Sequence, residues 1–422
     1  MRQYKDSGIE WIGKIPDTWD IKRLKEIFVE RNNRDAKGKT LLSVSQYYGI
    51  KPKAETDIAD SHVAESYDDY KVVEKGDFVM NIMLAWNGSY AVSDYEGIVS
   101  PAYCVYQFRK DCCHKYLHYL LRTDGYQTAF KTMSRGIIDS RLRLYPEQFY
   151  TFNTIFPPVS EQQRIADYLD EKCGEVDSLI ALQEQMIEKL KAYKQSVITE
   201  AVTKGLDHNA KLVSSGIDWI GEIPEAWSKD KVIRCFSIIG SGTTPKSTDD
   251  NLFKGDINWL QSGDINGGDL FEASKHISKE TLSSYSALSV YQAPFIIIAM
   301  YGASVGNISI SHIDACVNQA CCVMSGCKLD FNYAFYALKS AKPYLIYRAE
   351  GGGQPNISQD KIKTLWIPIP PLTEQQGIAS YLDEKCADID RLIALKQLKI
   401  ESLKDYKKSV IYEAVTGKTI IE

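Results

Sequence analysis

The chain has 422 residues, 25% of them charged and 44% hydrophobic, with a formal net charge of −5. These are globular values that leave room for two or more domains with cores of their own, and the acidity does not advertise a nucleic-acid binder. The charge is unevenly spread: residues 1–155 hold 22 Lys and Arg against 21 Asp and Glu, residues 211–368 hold 14 against 15, and the excess acid lies elsewhere. The longest apolar run, Pro294 to Met300, is too short to cross a bilayer. Ten cysteines occur without a C-x-x-C pair, and Met1-Arg2-Gln3-Tyr4-Lys5 opens no apolar leader. The expectation is a cytoplasmic protein with reduced thiols and no metal; Cys113, His114 and His118 are only a weak ligand set.

In chain order, the first predicted element is a turn-rich strap, Ser7 to Trp19, whose Gly, Pro and two Trp residues suit a structural tie to a neighbouring element. A strand-like run follows at Asp77–Trp86, then a short helix near Tyr116–Leu121. Pro157-Pro158-Val159-Ser160 opens a long helix, with Ser160 and Gln163 spaced as a capping box and Gly205 as its stop. A second strap, Ser215 to Trp227, repeats the first as Gly-Ile-x-Trp-Ile-Gly-x-Ile-Pro. Another apolar strand (Phe295–Tyr301) and short helix (near Tyr333–Leu338) lead to Pro370-Pro371-Leu372-Thr373. There the second long helix begins, with Thr373 and Gln376 as its expected capping box and Gly417 as its stop.

The two long helices are copies. Residues 160–203 align with 373–416, and 29 of the 44 positions are identical. With the repeated strap, this means a duplicated unit of about half the chain. Apolar residues recur at four- and three-residue steps: Ile165, Leu169, Cys173, Val176, Ile180, Ile187, Leu190, Val197 and Ala201 in one copy, and Ile378, Leu382, Cys386, Ile389, Ile393, Ile400, Leu403, Val410 and Ala414 in the other. That is a heptad seam, with gaps at Gln183 and Lys194 and at Lys396 and Lys407. Because each helix leaves one variable region, pairing along the seam should be antiparallel, with the variable regions at opposite ends of a rod of roughly 66 Å; an intermolecular coiled coil is the alternative. The fold class is α/β (α+β): two mixed domains with compact, partly antiparallel sheets, joined by two long antiparallel helices. The segments are 1–158, 159–206, 207–371 and 372–418.

Catalytic signatures are missing. There is no phosphate-binding G-x-x-x-x-G-K-[ST], no G-x-S-x-G, no H-E-x-x-H and no Asn-Pro-Pro-Tyr. Asp264–Asp269 is only faintly like a calcium loop. What remains is recognition chemistry: small residues that let backbone approach a ligand, and Thr, Lys, Gln, Asn and Arg that bond phosphates or base edges. The candidate DNA-contacting residues are Gln46, Tyr47, Asn81, Trp86, Arg135, Arg141 and Arg143 in the first variable region. In the second they are Thr243, Thr244, Lys246, Ser262, Tyr301, Gln354 and Asn356. Two protein-binding faces of a scaffold, or a freestanding nuclease, are the rival readings of the same residues.

The ordered set of motifs resembles the DNA-specificity subunits of type I restriction–modification systems. It comprises both Pro-Pro-x-[Ser/Thr]-Glu-Gln-Gln starts, the Ala-x-Tyr-Leu-Asp-Glu-Lys helices, both straps, and Thr243-Thr244-Pro245, Tyr301-Gly-Ala-Ser and Gly352-Gly-Gln-Pro-Asn-Ile357. The resemblance covers essentially the whole chain, although the first variable region lacks the Thr-Thr-Pro and Gly-Gly-x-x-Asn motifs. It implies two target-recognition domains that each read half of a split, asymmetric DNA site, and helices that act as spacer and dock for modification subunits, two in number. The implied S-adenosylmethionine and adenine methylation belong to those partners. A restriction subunit, which translocates and cleaves DNA, is a further partner left open.

Overall fold

The computed structural model describes residues 2–34, 38–46, 48–56, 67–109, 111–138, 141–349 and 355–421. Contacts divide the chain into Met1–Glu184 with Gln397–Glu422, and Gln185–Lys396. Each unit therefore takes part of both long helices, whereas the sequence segmentation separates domain from helix.

In the first unit the β-forming runs assemble a four-stranded antiparallel sheet in the order Phe28–Arg31, Tyr103–Phe108, Phe78–Asn81, Tyr90–Val92. The expected long strand stops at Asn81, because residues beyond it turn tightly through Ala85–Asn87 to Gly88, whose φ is +91°. Short helices His114–Leu121 and Asp124–Met133 pack Leu117, Tyr126 and Phe130 into a core with Phe78 and Phe149, whose rings stack at 5.8 Å. In the second unit the equivalent sheet runs Phe236–Gly240, Cys321–Cys327, Phe295–Ala299, Ile308–Ser311, Asp269–Leu270. Its last pair is parallel, and a three-stranded sheet flanks it. Phe295–Ala299 is buried at every position, as an apolar strand covered on both faces must be. Helix Phe331–Ser340 covers one face.

The long helices span Val159–Lys204 and Leu372–Val415. Of the predicted seam, Ile165, Leu169, Val176, Ile187, Val197, Ile378, Leu382, Ile389, Ile400 and Leu403 are buried. Leu190 and Val410 are half-buried. Each buried side chain of this size contributes about 1.5–3 kcal/mol relative to exposure. Within each unit the two helix segments run antiparallel. In the first, Ile165 and Leu169 share a core with Ala414 and Val415, while Asp177 meets Lys407 at 2.7 Å. In the second, Lys194 meets Asp390 at 2.6 Å and Lys396 lies 3.2 Å from the Met186 sulfur. Lys194 and Lys407, at matched gaps in the seam, thus form the same ion pair twice. Both pairs are largely exposed, so they specify register more than stability.

The helix starts differ from the expected capping boxes. Ser160 and Thr373 lie inside the first turn rather than at its cap, because the Pro158 carbonyl accepts the Glu161 and Gln162 N–H groups and Pro371 serves Glu374 and Gln375 likewise. The fold-back side chain is Gln162, not Gln163: it donates to Pro157 O (2.7 Å) and accepts from Cys113 N (2.9 Å). Gln375 repeats this with Pro370 O and Asp330 N. The straps explain the adjacent glutamates. Buried Trp19 donates its indole N–H to Glu161 at 2.9 Å, and Trp227 donates to Glu374 at 2.8 Å. Gly417 and Gly205 end the helices at φ +72° and +76°, and a Cβ at either would meet Trp19 or Trp227 at 3.0 Å or less.

Candidate nucleic-acid interface

In the second unit, loops from five stretches of chain meet, at 243–244, 262–265, 300–307, 319 and 356–357. Strand Phe295–Ala299 runs into Met300, and Gly302 and Gly306 turn the chain at φ +89° and +74°. The turn is held from below: Ser304 bonds the Ser262 carbonyl at 2.5 Å, Asn307 bonds the Ile265 carbonyl at 3.0 Å, and Lys342 bonds Asn307 at 2.8 Å. Burial pushes the Lys342 ammonium pKa down, so this bond carries part of its desolvation cost. Tyr301 pairs backbone with Asn356 as an antiparallel bridge, next to a 2.7 Å bond from Ile357 N to Met300 O. Gln319 accepts from the Thr244 hydroxyl, and the Tyr301 phenol neighbours Gln319. Burial raises the phenol pKa, so it stays a neutral donor and acceptor at physiological pH. Thr243 supports the group through its carbonyl, which accepts from the Trp259 indole at 3.2 Å.

Thr244, Gln319, Tyr301 and Asn356 therefore form one polar edge, with Ser262 attached through Ser304. Such a set can offer both donors and acceptors to base edges. Lys246 stands apart: it is exposed, and its backbone N–H bonds the Tyr285 hydroxyl at 3.1 Å. Gln354 lies outside the described residues. Gln319 was not among the sequence candidates; its only signal is the polar pair Asn318-Gln319 between two apolar runs.

In the first unit the candidates are less concentrated. Tyr47 lies outside the described residues. Gln46 is half-buried and its carbonyl accepts from Arg122 at 2.6 Å; the same guanidinium holds the Gly88 and Tyr90 carbonyls. Asn81 requires correction as a base-contacting candidate. It is only 4% exposed, and its side chain accepts from Met83 N at 3.0 Å, so it builds the turn. Trp86 is half-exposed, donates to Met83 O, and lies under the Lys131 ammonium at 5.1 Å. Arg135 and Arg143 face each other across an antiparallel bridge, with Ile137, Ile138 and Arg141 exposed beyond it. The weak metal candidates have other work. His118 accepts from Val92 N with its pKa lowered to about 4 by burial, and His114 stacks on Phe108.

Backbone hydrogen bonds align the two units loop for loop. Asn81 N to Ser89 O (3.0 Å) matches Ala299 N to Asn307 O (2.9 Å), and Ile82 N to Ala102 O (3.2 Å) matches Met300 N to Ala320 O (2.7 Å). Leu144 N to Ile82 O (3.1 Å) matches Ile357 N to Met300 O. Met83 thus takes the place of Tyr301, Pro101 that of Gln319, and Arg143 that of Asn356. The same scaffold carries a polar edge in one unit and an apolar, arginine-bearing edge in the other.

Among the described residues no group of His, Cys, Asp and Glu could hold a metal, and no helix is long and apolar enough to cross a membrane. The family described as "Type I restriction modification DNA specificity domain" matches residues 16–192 and 225–405. The chain is 25% identical to the type I restriction enzyme MjaVIII specificity subunit of Methanocaldococcus jannaschii, over 99% of this chain and 97% of that one. It shares its fold with a chain of a type I R-M system structure (TM-score 0.71, 19% identity, covering 96% of this chain and 99% of that one). It also matches the HsdS subunit of Thermoanaerobacter tengcongensis (TM-score 0.50, 19% identity, 96% and 98%). Two family matches falling on the two duplicated units, each with its own loop edge, place this chain in the type I restriction–modification DNA specificity family, as a sequence-specific DNA-recognition subunit.

Proposed function

We propose that each unit reads one half of an asymmetric, split DNA target, and that the paired helices set the gap and dock modification subunits. The observation that carries this reading is the duplicated scaffold with different chemistry at matched positions: Tyr301, Gln319 and Asn356 against Met83, Pro101 and Arg143. Two readers of one geometry but different side chains select two different half-sites. The chain itself is non-catalytic in this reading and acts in the cytoplasm. Adenine methylation, with S-adenosylmethionine as donor, is carried by the modification subunits, two in number by the internal duplication. A restriction subunit is compatible with the scheme but not required by it.

The test is to express the full chain with its modification subunits and map methylated adenines across the genome. The expected result is a split motif with unlike halves. Exchange of residues 1–158 for those of another family member should change one half only. A palindromic motif, or no methylation dependent on this chain, overturns the reading.

A further inference from the structure

In the second unit the segment Ser241 to Lys246, which carries Thr244, has no regular structure, yet its backbone is held at three points by aromatic side chains. The Tyr291 hydroxyl donates to the Ser241 carbonyl at 2.9 Å. The Trp259 indole donates to the Thr243 carbonyl at 3.2 Å, and the Tyr285 hydroxyl accepts from Lys246 N at 3.1 Å. All three aromatics are themselves fixed. Trp259 is 2% exposed in strand Ile257–Leu260, and Tyr285 packs against the same small core, which includes Ile277 and Leu288. Tyr291 exchanges two backbone bonds with Ala315, at 2.9 and 3.1 Å, and its ring lies 6.0 Å from that of fully buried Phe295. Burial raises the Tyr291 phenol pKa, so the hydroxyl remains a donor at physiological pH.

The start of the loop fits this bracket closely. A Cβ at Gly240 would overlap the Tyr291 hydroxyl, and one at Gly242 would overlap the Val317 carbonyl. Between them the Ser241 hydroxyl donates to the Cys321 carbonyl at 2.7 Å. That bond ties the loop to the turn at 318–321, which presents exposed Gln319, the acceptor of the Thr244 hydroxyl. Surface loops ordinarily leave such backbone groups to water and move accordingly. Here Thr244 and Gln319 are mounted on two segments pinned to each other at Ser241, so binding need not order them. The tolerance is small, because a hydrogen bond to a base edge is useful only over about 2.7–3.2 Å.

We propose that Tyr291 is a positioning residue for base recognition by the second unit, its hydroxyl holding the Ser241 carbonyl so that Thr244 and Gln319 meet a base edge as a fixed pair. This deepens the proposed function and rests on it. Tyr291 touches no base: it acts through Thr244, while Trp259 and Tyr285 hold the remainder of the loop. The partner is double-stranded DNA, and the contribution is to discrimination between bases rather than to general affinity.

The experiment uses the full chain in complex with its modification subunits, the duplex bearing the mapped target, and duplexes substituted singly along both half-sites. In the wild-type complex, substitution at one base pair of the second half-site should cost about tenfold in affinity, and T244V should abolish that penalty. Y291F, which removes one hydroxyl and keeps the ring, should cut the same penalty to about twofold. Penalties in the first half-site and affinity for an unrelated duplex should stay unchanged, which loss of the unit's structure would not allow. In the T244V background, Y291F should have no further effect. If the Y291F complex does not assemble, S241A, which removes the bond to the Cys321 carbonyl, enters the same comparison with the same expected result. A wild-type target preference with no T244V-sensitive base pair, a Y291F complex (or S241A in its place) that discriminates like wild type, a loss spread over both half-sites, or a loss that adds in full to that of T244V overturns the proposal and leaves the proposed function intact. A wild-type complex with no preference for the mapped target sinks both.

Discussion

The Trp19–Glu161 latch should be a larger source of stability than its duplicate, Trp227–Glu374. Both are indole N–H to carboxylate bonds, 2.9 and 2.8 Å long, between a strap and the first turn of a long helix. Their surroundings differ. Trp19 is fully buried, and the Glu161 side chain is 14% exposed and also paired with Arg2. Trp227 is 7% exposed and Glu374 is exposed. A hydrogen bond to a charge is worth about 1.5–3 kcal/mol when shielded and less in water. Trp19→Phe should therefore cost about 3 kcal/mol, including lost packing, and Trp227→Phe about half that. Hydrogen exchange followed by mass spectrometry reads each unit separately at the amides of its helix start. A double-mutant cycle of Trp19→Phe with Glu161→Gln should give a coupling of about 1–2 kcal/mol, and the Trp227/Glu374 cycle under 1. Equal couplings, or none at Trp19, would refute the claim that burial of the carboxylate decides the strength of the latch.

Three further outcomes are expected. His118 has its pKa lowered to about 4 by burial, so the native state resists a proton that the unfolded chain binds below about 6.5. The first unit should hold its full stability above that pH and lose up to about 3 kcal/mol as pH falls toward 4, and H118N should flatten that loss in urea unfolding measured against pH. Gln319→Leu removes the side chain that bonds Thr244 and neighbours Tyr301, so it should weaken or relax only the second unit's half of the methylated motif, by about tenfold in affinity; an unchanged motif and affinity would remove Gln319 from the interface. Inserting four residues near Gln183, about one helical turn or 6 Å, should lengthen the gap in the motif by about one or two base pairs with the bases unchanged; altered bases with an unchanged gap would show that the helices do not set the spacing.

The sequence by itself determined what depends on local periodicity and on repetition. Heptad spacing marks Ile165, Leu169 and Val176 as one face, and an identical spacing marks Ile378, Leu382 and Ile389. A glycine after the last apolar residue marks each helix end, because only a residue free of Cβ adopts positive φ against a tryptophan. The repeated strap and helix disclose two equivalent units. Tertiary structure decided everything that joins distant residues. Trp19 and Glu161 are 142 residues apart, so nothing local could say which carboxylate the indole meets. Whether Gln162 or Gln163 folds back is settled by the Cys113 N–H that reaches only one of them. Asn81 resembles an adenine reader in sequence, yet the turn after it consumes its side chain. Gln319 is invisible until Thr244 and Tyr301 are brought to either side of it. The correspondence of Met83 with Tyr301 has little side-chain similarity to disclose it, because backbone hydrogen bonds, not side chains, hold the two loops on the same scaffold.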